Sequence, residues 1–267
     1  MTTVAGLQAC AFCGLSDTAC LDVDCEHRFD ETRVSTAATV EGLPSYRTQP
    51  QDRLRCGPLI NPLLAWLGSG SDQDRHDMVA ISDPAATHRV IEAAGGLSHA
   101  LGVLAHRTGI AWHPADEPGH VRVTAAEMVR AYEALRLNDS ERATAVRRAL
   151  ADVPAARRLG CDTWWSTSTA RVGCCQVDPL VATGWSLSPD EPFLRTHVVV
   201  IHDSGVAAVL TAVPVRVPGR RAWIRALNDG PDAVATVHED LAGRALVRGL
   251  EAGFRLARRA HPPNGEY

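Results

Sequence analysis

The chain has 267 residues, 45% hydrophobic and 22% charged, with a net charge of −4. That balance fits one large or two intertwined globular domains with a real core, and it gives no basic surface for nucleic acid or anionic lipid. No apolar run approaches the roughly 20 residues of a membrane helix. The first residues, MTTVAGLQACAFCG, lack a basic region followed by an apolar stretch. A cytoplasmic chain is therefore expected, with its eight cysteines as thiols, no nucleic-acid partner and no membrane.

In chain order, LQACAFC (Leu7 to Cys13) and TACLDVD (Thr18 to Asp24) flank a Gly/Ser/Asp turn and read as a hairpin. From Val34 to about Ala156 the character is helical, with a first small helix in RVSTAATVEGL and Ser35 in its first turn. NPLLAWL is a short apolar helix after prolines, and HDMVAISDPAATHRVIEAAGG carries a helix that stops at Gly95-Gly96. LSHALGVLAHRTG is another, ending near Gly109. AWHPADEPGHVRV (Ala111 to Val123) reads as a loop. Thr124 with Glu127 three residues on forms a capping box that starts TAAEMVRAYEALRL, and SERATAVRRALADV is the next helix.

After Gly160 the pattern turns strand-like in STSTARVGCCQV. THVVVIHDSGVAAVLTAV places two apolar runs around Asp203-Ser204-Gly205, the clearest hairpin in the chain. AWIRAL can extend the sheet, and the stretch from Val234 to Arg259 is a long amphipathic helix. Two strands, a helical middle, then strands and a last helix give an α+β fold in which terminal segments complete one sheet around an inserted helical part.

Two features of composition bear on chemistry. All 27 basic Lys/Arg residues are arginine, so no lysine of this chain can act as Schiff base, phosphate ligand or general base. Cys10, Cys13, Cys20 and Cys25 have a C-x2-C-x6-C-x4-C spacing that could hold zinc. The first three fall in expected strands, where cysteine behaves as a small buried hydrophobe, so neither metal nor cofactor is expected.

The order of elements, with the residues at certain points, resembles the serine β-lactamase and penicillin-binding-protein superfamily. There, a hairpin leads into a helix carrying S-x-x-K, an S-D-N triplet follows in the helical part, and a K-[ST]-G strand follows in the returning sheet. FDETRVSTAATV is similar to the approach to the nucleophile helix, with Ser35 at the nucleophile position. MVAISDPAA is similar to the S-D-N stretch through Ser82 and Asp83, and STARVGCC to the third strand through Arg171-Val172-Gly173.

Departures accompany the matches. Ala38 stands at the lysine of S-x-x-K, Pro84 at the asparagine of the triplet, Arg171 at the lysine of the strand and Val172 at its hydroxyl residue. The resemblance implies an α/β/α sandwich, with residues 1–33 plus 160–267 forming the sheet and terminal helix. Residues 34–159 then form the helical subdomain, with the site in the cleft between them.

Its implied site has Ser35 as nucleophile, Ser82 beside it, and a base from the loop of His113, Asp116, Glu117 and His120, whose Glu117-Pro118 resembles the carboxylate-bearing loop of class A enzymes. The backbone N–H groups of Ser35 and Cys174 form the oxyanion hole. Arg171 holds a substrate carboxylate beside Gly173, with Trp165 lining an apolar pocket. Plainer readings stand beside these: Ser35 as a helix cap, the loop as solvated surface, Arg171 as a strand-edge ion pair.

The expected function is hydrolysis or acyl transfer on an amide, ester or lactam of a small metabolite, in specialised or antibiotic biosynthesis rather than penicillin hydrolysis. The alternatives are a pseudoenzyme that binds a ligand or partner, and a non-covalent acid–base cyclase or isomerase in the same cleft.

Overall fold

A computed structural model describes residues 33–40, 43–48, 53–113, 115–155, 158, 180–187, 193–202 and 205–214. Among the described residues, its main sheet has five antiparallel strands in the order β2-β1-β7-β6-β5. These are β1 (Arg33–Val40), β2 (Leu43–Thr48), β5 (Leu180–Leu187), β6 (Phe193–His202) and β7 (Gly205–Pro214). Strand β1 pairs with β7 from Arg33↔Ala212 to Val40↔Gly205, so early and late segments close one sheet, as the order of elements predicts. The hairpin expected around Asp203-Ser204 is there as β6 and β7, with His202 paired to Gly205.

The first helix is not where the sequence reading puts it. RVSTAATV is a strand, and among the described residues the helical character expected from Val34 starts at Gly57. Val34, Thr36, Thr39 and Val40 are β-branched and favour a pleated chain. Ala37 and Ala38 suggest a helix locally, but each is paired on both sides, with Ala208 and Ala207 of β7 and with Arg47 and Tyr46 of β2. Tertiary pairing overrides local propensity. Just two residues, Glu41-Gly42, lie between the paired ends Val40 and Leu43, the spacing of a tight hairpin.

Between the two parts of the sheet, β3 (Leu54–Arg55) pairs with β4 (Arg122–Val123). A 3-10 turn at Gly57–Ile60 runs into α1 (Asn61–Ala65), followed by α2 (Asp72–Ala80), α3 (Pro84–Ala93) and α4 (Leu97–Thr108). A second 3-10 turn, Pro118–His120, precedes β4, and α5 (Ala125–Arg136) and α6 (Glu141–Ala151) follow it. The expected capping box is present: Thr124 Oγ1 accepts from Glu127 N, and Glu127 Oε2 accepts from Thr124 N. The helix expected to stop at Gly95-Gly96 is α3, started by Asp83 capping Ala86 N ahead of Pro84, and a separate helix, α2, ends just before Ser82.

One apolar cluster joins helices to sheet, through Leu59, Ile60, Met128 and Leu135 on one side and Val199, Ile201, Ala208 and Leu210 on the other. Val198, Val200 and Ala207, alternating with these along the strands, are also buried, so both faces of the sheet's centre are dry. At the heart of the junction the fully buried Tyr132 of α5 donates its hydroxyl to Leu59 O at 2.7 Å. The hairpin expected at Leu7 to Asp24, the strand expected at STSTARVGCC and the terminal helix expected from Val234 lie outside the described residues. Among the described residues, no helix is long and apolar enough to cross a membrane.

Replacing Tyr132 with Phe keeps the ring and leaves the Leu59 carbonyl buried without its donor. Tyr132→Phe should lower the unfolding free energy by about 1–2 kcal/mol, read as a lower urea midpoint at unchanged slope. A change within about 0.5 kcal/mol, as for an ordinary surface substitution, contradicts this role.

Candidate functional site

Helical part and sheet meet at a short turn. Cys56 N donates to Val121 O at 2.9 Å, which ties the turn to the loop before β4. Gly57 follows with φ +53°, a left-handed conformation that side chains disfavour, and Pro58 then presets the first turn of the helix. The turn rests on β5 and β6 on one side and on Pro118–His120 on the other. A methyl group added at Gly119 would lie 3.6 Å from Gly57 Cα, so the two backbones pass almost without side chains between them.

The sequence-predicted residues distribute unevenly around this junction. Ser35 lies within β1, paired with Leu210, and does not head a helix. In the resemblance, the nucleophile starts the helix that follows the hairpin. Here that segment is GPLINPLLA, Gly57–Ala65, which contains no serine, and the position three residues after Gly57 is Ile60, completely buried. Ser35 is thus a strand residue, and the helical segment described after the hairpin starts at Gly57.

Ser82 stands between α2 and α3 with φ +51°, the one non-glycine residue with positive φ among those described. Such strain persists where the surroundings over-determine it: Ile81 N and Asp83 N both donate to Asp77 O, at 3.2 Å each. Glu117 and His120 sit at the two ends of the second turn, with Glu117 Oε2 and His120 Nε2 3.4 Å apart. His113, Asp116 and Glu117 are exposed; His120 is partly covered. Trp165, Arg171, Gly173 and Cys174 lie outside the described residues.

Two stretches that the sequence reading passed over occupy the junction. The first is Gly57–Ile60, signalled by a glycine before Pro58 and by the two-residue gap at Glu41-Gly42 that makes 33–48 a hairpin. The second is Ala182-Thr183-Gly184 on β5, the outer described strand of the returning sheet, against which the turn packs. It keeps the [ST]-G of the K-[ST]-G pattern and has alanine for the lysine.

The one thiol described at the junction is held neutral. Cys56 is fully buried, with Sγ 3.6 Å from Gly57 O and 3.7 Å from Pro118 O. Burial pushes its pKa up to about 12, so at neutral pH it is not a thiolate nucleophile. Nearby, Arg53 Nη2 donates to Glu127 Oε1 at 2.5 Å, pinning the strand that leads into the turn to the start of α5.

Known structures give the same architecture. A class A β-lactamase representative from Bacteroides cellulosilyticus superposes with a TM-score of 0.55 at 10% identity, over 83% of this chain and 92% of that one. A carbapenemase from Vibrio cholerae gives 0.56 at 11%, over 82% and 95%. A β-lactamase from Xanthomonas campestris gives 0.52 at 12%, over 84% and 92%. No family model and no curated protein matches the chain. At these identities the likeness is one of architecture, reached over nearly whole chains. The chain has the α+β fold of the serine β-lactamase-like superfamily.

Proposed function

We propose that the chain is a β-lactamase-fold protein that binds a small amide-, ester- or lactam-bearing metabolite without forming an acyl-serine. The site would be the cleft between the helical part and the sheet, formed by Gly57–Ile60, the Glu117–His120 turn and β5. The observation that carries this reading is Gly57 at the head of the helix after the hairpin, with buried Ile60 three residues on. A hydroxyl nucleophile needs a base within hydrogen-bond reach, and here neither the hydroxyl nor a lysine base stands at that helix start.

Binding is supported by what remains. Backbone groups of the turn and of β5 can orient a carbonyl whatever the side chains, because backbone donors survive sequence change. Thr183 keeps a hydroxyl on β5, and Ser82 keeps one at the break between α2 and α3. The Glu117–His120 pair favours a second reading, non-covalent acid–base turnover of the bound molecule as in a cyclase or isomerase. Hydrolysis or acyl transfer through a covalent serine, the reaction type that the β-lactamase fold suggests, would need a hydroxyl and a base from elsewhere than that helix start.

Intact-mass measurement after incubation with a fluorophosphonate and with an activated acyl ester tests the proposal. The expected spectrum is that of the unmodified protein with both reagents; a single adduct lost in Ser82→Ala or in Ser35→Ala overturns it. A parallel prediction concerns the thiol. Iodoacetamide at about pH 8 should leave the Cys56 peptide unlabelled in the native protein and label it fully in guanidinium chloride. Native labelling of Cys56 at the rate of an exposed thiol contradicts its neutral, sealed state.

A further inference from the structure

Away from the cleft, a cavity of about 530 Å³ opens between the end of α1 and the helices α4 to α6. None of its lining residues belongs to Gly57–Ile60, Pro118–His120 or β5. Two guanidinium groups line it, from Arg107 of α4 and Arg142 of α6. The fold sets them side by side by anchoring each to a successive carbonyl at the end of α1. Arg107 Nη1 donates to Trp66 O at 2.8 Å, and Arg142 Nη1 donates to Leu67 O at 3.0 Å. Arg107 also lies over the Trp66 ring, 5.3 Å from its centroid, so the indole face braces the guanidinium plane.

The pair is under-used as it stands. A guanidinium has five N–H donors, and each of these makes one hydrogen bond among the described residues. Neither forms an ion pair with a carboxylate there, although Glu141 lines the same cavity. Burial makes Arg107 a poorer holder of its proton, and the neighbouring charge of Arg142 acts in the same direction. Two like charges brought together at a cavity, with most donors free, have the layout of an oxyanion receptor. Asn138 and the Ser140 hydroxyl add neutral polar groups to the wall. The volume falls in the range of small organic ligands and exceeds what a bare ion fills.

We infer that the cavity between Arg107 and Arg142 binds a small organic molecule through its oxyanion group, a phosphate monoester or a carboxylate, at a site separate from the cleft. The oxyanion bridges the two guanidiniums, and the body of the ligand lies along the wall beside Trp66.

Calorimetric titration at matched ionic strength, with phenyl phosphate, benzoate and neutral phenol, tests this on the full chain. Saturable one-to-one binding of at least one anion, absent for phenol, is expected. Phenyl phosphate alone binding identifies a phosphate ligand, and comparable binding of benzoate identifies a carboxylate-accepting site. Affinity should fall about tenfold or more in Arg142→Gln and in Arg107→Lys, which loses the two-pronged donor geometry. Arg148→Gln, on an exposed arginine that lines a neighbouring cavity, should leave it unchanged. Arg142 is itself exposed, so its variant keeps the fold and decides the matter should Arg107→Lys melt early. No saturable binding of either anion overturns the inference. So does a loss in Arg148→Gln as large as in Arg142→Gln, or undiminished binding in Arg142→Gln.

Discussion

The hydrogen bond from Tyr132 to the Leu59 carbonyl fixes the turn on which the whole junction depends. Both groups are sealed in apolar surroundings, where an unmade bond would be expensive. Tyr132 comes from α5, the helix that also packs against β1, β6 and β7. Leu59 comes from the turn that packs against β5, β6 and Pro118–His120. One bond therefore ties the helical part, the sheet and the loop of Glu117 to a single segment of backbone. The Cys56 amide bonded to Val121 O and the Arg53–Glu127 ion pair hold the same segment from its other end.

That constraint separates architecture from chemistry. Leu59, Ile60, Leu63 and Leu64 fill the core from the turn and from α1, so this helix is retained for packing whatever its first residue does. Gly57 and the buried Ile60 belong to this packing and bring neither a hydroxyl nor an amine to the turn. A fold does not carry a reaction with it, and the groups at the site decide. Here the thiol beside the turn is neutral and buried, and the acid–base pair of Glu117 and His120 lies on the loop that packs against the turn.

The sequence discloses the parts of this arrangement in which local and tertiary preferences agree. The hairpin of β6 and β7, the capping box at Thr124 and the stop near Gly109 were legible because alternation, caps and glycine each have a local physical cause. The order of elements sufficed for the superfamily fold. What misled was Ala37-Ala38. Alanine favours helix in isolation, and the partner that makes it a strand residue lies about 170 positions away in β7. Reading 33–40 as helix put a helix start at Ser35, a residue that the structure has within a strand. Pro84 marks the helix start after Ser82, but the positive φ of Ser82 has no glycine to signal it, since Asp77 O and the Asp83 cap hold it.

Backbone resonance assignment measures directly where, within residues 33–65, strand gives way to helix. The Cα and Cβ secondary shifts should be of strand type from Arg33 to Val40, with a cross-strand contact between Ser35 and Leu210, and of helical type from Leu59 to Ala65. Helical shifts across Ser35 to Thr39, with Leu59 to Ala65 extended, would contradict this and put a helix start at Ser35.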